Sequence, residues 1–441
     1  MIRLSFLFMC IGLIANPAHA TKVQEVTSEK GLTAWLVEEH SLPLVSVRIA
    51  FTDSGNIYDP DGKEGRANMA AALLMEGAGE LNSLEFSEAL ENHAIEMNTG
   101  VDEDYLNAKV ESLSEYKDKA FYYLGLALTK PRFDNSAVAR VKKQTKSIIL
   151  KQQSRPGYLL HRAWQEMVYK DHPYGKPALG TNDTVDDIDS DDFETYRERY
   201  LTKENIIISV VGDITPDELR ALLDEHLAAL PDKYDPETTI KEAALPVTPQ
   251  TKIVEFNVPQ TMITFGTHGI KRSDPHYIEA YVMNHILGGG GTLTAKLGQE
   301  IREKRGLAYS VFSYLNPMTH TASWQGGFAT RNEQVKPALE VLKTTLADFV
   351  KHGPTNKEFQ SAKDYLKGSF VLNLDSNSEI ASFLNVMQIH NLGKDYFEKR
   401  NALIDDVTKA DVEDMARKLA DPEKLLVVMV GKPVMQEKEA E

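Results

Sequence analysis

The sequence predicts an α+β fold built from two tandem copies of one unit, each of roughly 200 residues. Three observations predict it. The chain has 441 residues, enough for two or three ordinary domains. A stretch rich in Pro, Thr, Glu and Lys at 231–252 lacks sustained periodicity and interrupts the middle of the chain. The order of elements before that stretch recurs after it, and each half closes on a buried strand running into a glycine. These are Ile206-Ile-Ile-Ser-Val-Val-Gly-Asp in the first half and Leu425-Leu-Val-Val-Met-Val-Gly-Lys in the second.

In the first half, residues 41–52 alternate well enough to be a strand. An apolar, alanine-rich helix follows at 65–76. A second helix is expected at 83–92, where Ser83 supplies a cap and Phe86 and Leu90 a buried stripe. Residues 105–112 alternate as a strand, and 115–128 and 136–153 read as long helices. The strand at 206–213 leads to a helix at 216–230 opened by Pro216. In the second half a strand at 261–267, a helix at 275–287 and a strand at 322–329 precede helices at 334–351 and 356–372, before the closing strand. The resulting division is 1–20 leader, 21–231 first domain, 232–252 linker and 253–437 second domain.

Composition excludes several classes. Hydrophobic residues make up 42% and charged residues 26%, as in ordinary soluble domains. A net charge of −16 argues against nucleic acid as a partner and gives no attraction to an anionic membrane surface. The first twenty residues read as a secretory leader, with Arg3, an apolar run from Leu4 to Ala15, and Ala18-His19-Ala20 as the cleavage site. Cys10, the single cysteine, lies inside it, so the mature chain has no disulfide or thiolate chemistry. A periplasmic location is expected.

Several passages carry a family resemblance covering nearly all of the mature chain. His172-Pro-Tyr-Gly-Lys-Pro-Ala-Leu-Gly-Thr, and the series Gly288-Gly-Gly-Gly-Thr292, Leu297, Ile301-Arg302-Glu303, Gly306-Leu307-Ala308-Tyr309 and Phe312-Ser313, resemble the two halves of a pitrilysin/insulinase-family zinc metallopeptidase. The resemblance implies two pitrilysin-type domains, each an antiparallel-rich sheet packed against helices. In active members the helix at 65–72 carries His-x-x-Glu-His, whose histidines bind zinc while the glutamate acts as general base. Here Asn68 and Ala72 occupy the histidine positions and Ala71 the base position. Asparagine is a poor zinc ligand and alanine has no donor. The third ligand, a glutamate, should fall at 147–150, yet no acidic residue occurs between Asp134 and Glu166. The motif is degenerate, and no metal is expected in this chain.

The resemblance implies a different role for Arg302 and Tyr309: reaching towards a partner's zinc site, holding the substrate backbone and supporting the oxyanion. Read without it, Arg302 makes a surface ion pair and Tyr309 sits in a sheet core. Gly306 is expected to break the helix between them. The run Gly288, Gly289, Gly290 and Gly291 lacks the ending of a phosphate loop. It reads equally as a flexible turn or as a loop facing a peptide cavity. His93-Ala-Ile-Glu96 has no second histidine, since position 97 is Met97, and fits a helix-end histidine. No other histidine shows zinc-site spacing, and no Gly-x-Ser-x-Gly elbow occurs.

The expectation is a non-catalytic, substrate-binding subunit of a periplasmic heterodimeric zinc peptidase. A homologous zinc-bearing subunit would be the partner and peptides the substrates. The alternative is a catalytically inert, peptide-holding or structural protein of the same fold.

Overall fold

The computed structural model describes residues 22–289, 291 and 294–435. The leader at 1–20, including Cys10 and the cleavage site after Ala20, and Gly290 of the glycine run lie outside them. Two mixed sheets dominate. The first has six strands, in the order Gln24–Thr27, Thr33–Glu38, Ile206–Gly212, Leu44–Phe51, Leu106–Leu113, Glu96–Val101. The second has five, in the order Gln250–Glu255, Leu426–Gly431, Gln260–His268, Ala322–Arg331, Val311–Pro317. In each sheet the closing strand pairs in parallel with one neighbour and antiparallel with the other. The remaining neighbours are antiparallel. Five strands therefore correspond one to one, and the first half adds Gln24–Thr27 at its edge. The echo between the two closing strands reflects a duplicated topology, with sheets packed against helices as expected.

Alternation sets which side chains enter each core. Val45, Val47, Ile49 and Phe51 line one face of Leu44–Phe51 and sit in the first core. Ile263 and Phe265, with Trp324, Phe328, Val427 and Met429, sit in the second. Full burial of such side chains is worth about 1.5–3 kcal/mol each. The opposite faces are covered by exchanged helices. Asn377–Ile389, from the second half, lays Ala381, Leu384 and Met387 on Val37 and Val211 of the first sheet. Pro156–Val168, from the first half, joins its buried Leu160, Trp164 and Val168 to Leu426, Val428 and Val430 of the second.

A polar clasp completes the joint. The turn after Val311–Pro317 enters the first half, where Thr319 N donates to Asp104 Oδ2 at 3.0 Å and His320 N to Tyr174 Oη at 3.1 Å. His320 Nε2 lies 2.9 Å from Tyr58 Oη.

Three expectations are corrected. The strand Gln250–Glu255 begins inside the segment read as linker. The helix Ser83–Asn92 is capped by Asn82, in a capping box with Glu85, whereas Ser83 Oγ donates to Glu76. The helix read at 216–230 is α-helical only over Pro216–Leu222 and continues as a π-helical turn, Leu223–Leu227.

Candidate functional site

The degenerate motif lies on the helix Arg66–Leu73. Gly65 precedes it at φ 100°, with its Cα so close to the chain that an added Cβ would lie 2.6 Å from Leu179 O. That contact seats the helix on the 172–181 segment. Asn68 is half-buried, and its Nδ2 donates to Ala178 O at 2.8 Å. Ala71 is buried, and its carbonyl accepts from Thr99 Oγ1 at 2.6 Å, tying the helix to the edge strand Glu96–Val101. Ala72 is exposed. The helix Asn135–Gln152, which holds positions 147–150, packs against it.

The donor set decides the metal question. One carboxamide, its nitrogen bonded to a carbonyl, and two methyl groups offer at most a single weak oxygen ligand, which does not make a zinc site. No catalytic step can be routed through a metal at these positions. Among the described residues one other group has metal-ligand geometry: Asp118, Glu225 and His226, with ligand atoms within 4.8 Å of one another. It lies away from the motif helix, and its spacing across the sequence gives no signal.

A buried ion cluster stabilises the start of this helix. Arg66 is 1% exposed. Asp59 accepts from Gly65 N and Ala67 N, both at 2.9 Å, so its carboxylate caps the helix. Arg66 Nη1 bonds Glu237, and its guanidinium lies 5.5 and 5.6 Å from the ring centroids of Tyr196 and Tyr200. Nε and Nη2 make no hydrogen bond, Asp59 Oδ1 lying 3.7 Å from Nε. Burial pushes the Asp59 carboxyl up to about 7, against the pull of Arg66 and the two amides. Sequence reasoning missed Asp59, Arg66 and Glu237. The one available signal was an arginine inside an alanine-rich helix.

Arg302 and Tyr309 are brought together. Arg302 lies on the π-helical turn Gly298–Glu303, which Gly306 ends at φ 59°, its N–H donating to Arg302 O at 2.8 Å. The break expected at Gly306 is therefore present. The turned-back chain stacks Tyr309 on the guanidinium, with 4.8 Å from Arg302 Cζ to the ring centroid. Tyr309 is 84% exposed, so it is no part of a sheet core. Arg302 also pairs with Glu303 at 3.3 Å.

Beside them, Gly288 and Gly289 are buried. Ser313 N donates to Gly288 O at 2.8 Å, and the buried Asn284 accepts from Ser313 Oγ at 2.8 Å and Trp324 Nε1 at 2.9 Å. This end of the run is a packed turn, not an open loop, and Gly291 is half-buried. His93 caps the end of its helix, with Nδ1 2.7 Å from Ala89 O.

Comparison with known proteins agrees with this geometry. Residues 36–182 match the profile described as Insulinase (Peptidase family M16), and residues 187–366 match Peptidase M16 inactive domain. The chain belongs to the M16 family. It is 29% identical over 376 residues to a "Non-peptidase homolog YmxG" of Helicobacter pylori, covering 83% of each chain. It is 22% identical over 356 residues to an "Uncharacterized zinc protease YmxG" of Bacillus subtilis, covering 81% of this chain and 85% of the relative. Among solved structures, a peptidase M16 inactive domain from Pseudomonas fluorescens superposes with a TM-score of 0.87 at 28% identity, covering 94% of this chain and 99% of that one. As an M16 member without the zinc constellation, this chain is peptidase-like in fold and inactive as a zinc peptidase by its own residues.

Proposed function

We propose that this chain is the non-catalytic, substrate-binding subunit of a periplasmic M16 heterodimer. A homologous partner with an intact His-x-x-Glu-His helix supplies zinc and the general base. This chain supplies Arg302 and Tyr309, which hold the peptide backbone and support the oxyanion. The observation that carries the reading is the contrast between two regions. The motif helix carries no histidine or glutamate where the zinc ligands and the general base would stand, while Arg302 and Tyr309 are stacked together with the phenol in solvent. A guanidinium and a phenol are fixed donors suited to a carbonyl oxygen.

The test is an affinity pull-down of the tagged mature chain from its native periplasm, with a chelator-sensitive peptide-hydrolysis assay on the eluate. A stoichiometric zinc-motif sibling with activity supports the reading. In that assembly Arg302→Ala should lower kcat/KM by about 100-fold, in the range seen for single oxyanion donors, with the assembly intact. A chain that comes down alone and inert overturns the subunit reading in favour of the peptide-holding protein.

A further inference from the structure

In each sheet one strand runs parallel to the closing strand: Thr33–Glu38 in the first half and Gln250–Glu255 in the second. Matching the closing strands at Gly212 and Gly431 makes Glu38 the counterpart of Glu255, Leu36 of Ile253 and Ala34 of Thr251. The far edges of these two strands differ. Gln24–Thr27 pairs antiparallel with Thr33–Leu36, placing Val26 opposite Ala34. No strand takes that place beside Gln250–Glu255, which ends its sheet.

The sequence explains the gap. The first half turns back through Ser28–Leu32, with Gly31 at φ 88° and Ser28 N donating to Leu32 O at 2.8 Å. The second half enters its strand through Leu245-Pro-Val-Thr-Pro249, where two prolines remove amide donors from any ladder. Exposure records the consequence. Leu36 and Val26 are 0% and 1% exposed, whereas Ile253, on the corresponding face, is 44% exposed. On the other face Val254 packs beneath the exchanged helix Pro156–Val168, and Lys252 Nζ meets Glu166 at 2.9 Å. Among the described residues, no backbone hydrogen bond from a turn, loop or further strand reaches the outer edge of Gln250–Glu255. An unpaired edge beside an exposed β-branched side chain is a template for another strand.

We propose that this edge takes an extended segment of a partner polypeptide as an added antiparallel strand, completing the second sheet as Gln24–Thr27 completes the first. The duplication states the occupant's chemistry. It is a segment of at least four residues without proline, with apolar side chains at the alternate positions opposite Thr251 and Ile253. Charge does not select it, because Lys252 is already met by Glu166. The inference goes beyond the subunit reading and does not depend on it.

The test is isothermal titration of the mature chain with an acetylated, amidated peptide of the sequence 22–29, which already forms a strand of this kind in the first half. Saturable one-to-one binding with a Kd below about 1 mM is expected. Ile253→Lys places a charge where edge strands use one to resist pairing, and should weaken binding at least about tenfold, roughly 1.4 kcal/mol. Its thermal midpoint should stay unchanged, because the side chain it replaces is already exposed. Successive residues of a strand aim their backbone groups at opposite edges. N-methylation at Gln24 and Val26 in one peptide, and at Glu25 and Thr27 in another, should therefore abolish binding in one case and spare it in the other. Absence of saturation up to about 10 mM peptide, an equal effect of both methylation patterns, or unchanged binding by Ile253→Lys overturns the proposal. So does a concentration-dependent dimer that Ile253→Lys dissolves and that binds no peptide, since a second copy would then cover the edge.

Discussion

Replacing Arg66 by methionine tests whether the degenerate helix is now held by charge instead of metal. The side chain is fully buried between Asp59, Glu237 and two tyrosine rings. Methionine fills similar volume, so the main loss is electrostatic. At pH 8, above the Asp59 pKa of about 7, the wild type pairs an ionised carboxylate with the guanidinium, and the variant must either bury that charge without its cation or bind a proton to it. Breaking one side of a buried pair costs about 3–5 kcal/mol. The sign with pH follows from linkage. A carboxyl raised above its ordinary value binds a proton in the folded state that the unfolded chain has released, so stability falls as pH rises from about 4 to 7. Removing Arg66 raises that carboxyl further and extends the fall to higher pH. At pH 5 Asp59 is protonated with or without the arginine, and the loss shrinks to the Glu237 bond and the ring contacts, about 1–2 kcal/mol. Urea unfolding of wild type, Arg66→Met and Asp59→Asn/Arg66→Met at both pH values measures this. The double variant should recover at least half of the loss at pH 8. A penalty below about 1 kcal/mol at pH 8, or one equal at both pH values, would refute the argument.

Two further outcomes follow from the structure. His390, held near 4 in the folded chain, contributes stability that is complete above about 6.5 and is lost as pH falls to 4. Its remaining solvent contact reduces the contribution to about 1–2 kcal/mol, and His390→Gln should flatten that part of the pH–stability curve. Identical curves for the two proteins would refute it. The partner-free chain should retain no stoichiometric zinc after dialysis against the metal and should hydrolyse nothing; elemental analysis checks the first, and chelator-sensitive turnover in a pure sample would contradict the second.

The sequence made half of this architecture legible, and the reason is physical. Helices that pack within their own half, such as Val335–His352 and Asn356–Phe370, show a single apolar stripe and were readable within two residues of their bounds. The helix Tyr277–Leu287, buried almost all round, was also readable. The strands Glu96–Val101 and Val311–Pro317 were not: they are sheet edges, with Met97 the one buried side chain of the first and Val311 and Ser313 those of the second, too short an alternation to mark them. The helices Pro156–Val168 and Asn377–Ile389 went unread as well, and that each crosses to cover the other half's sheet is set only by tertiary structure. The degenerate motif was legible because absence of chemistry at fixed spacing needs no tertiary information. What replaced the metal was illegible, because Asp59, Arg66 and Glu237 meet only after the chain has folded.

This difference bears on how such a chain can lose catalysis and keep its fold. In an active zinc site the metal holds together the motif helix and the helix that brings the third ligand. Here that helix pair is still in contact, but the motif helix is fixed by other means. Gly65 seats it on Leu179, Asn68 bonds Ala178, Ala71 receives Thr99, and the Asp59 carboxylate caps its first turn. None of these contacts involves a metal ion. Asn68 thereby keeps a structural use for a position where a zinc ligand would stand: a carboxamide can donate to Ala178 O, as a neutral imidazole could, but it makes a poor metal ligand. With the helix secured this way, selection on the zinc ligands can lapse without unfolding the half that carries them. The second half has no such replacement at Arg302 and Tyr309. Their stacked, solvent-facing arrangement contributes little to the core, so their retention calls for a reason outside this chain's own stability. Under the proposed subunit reading, a partner's active site supplies one.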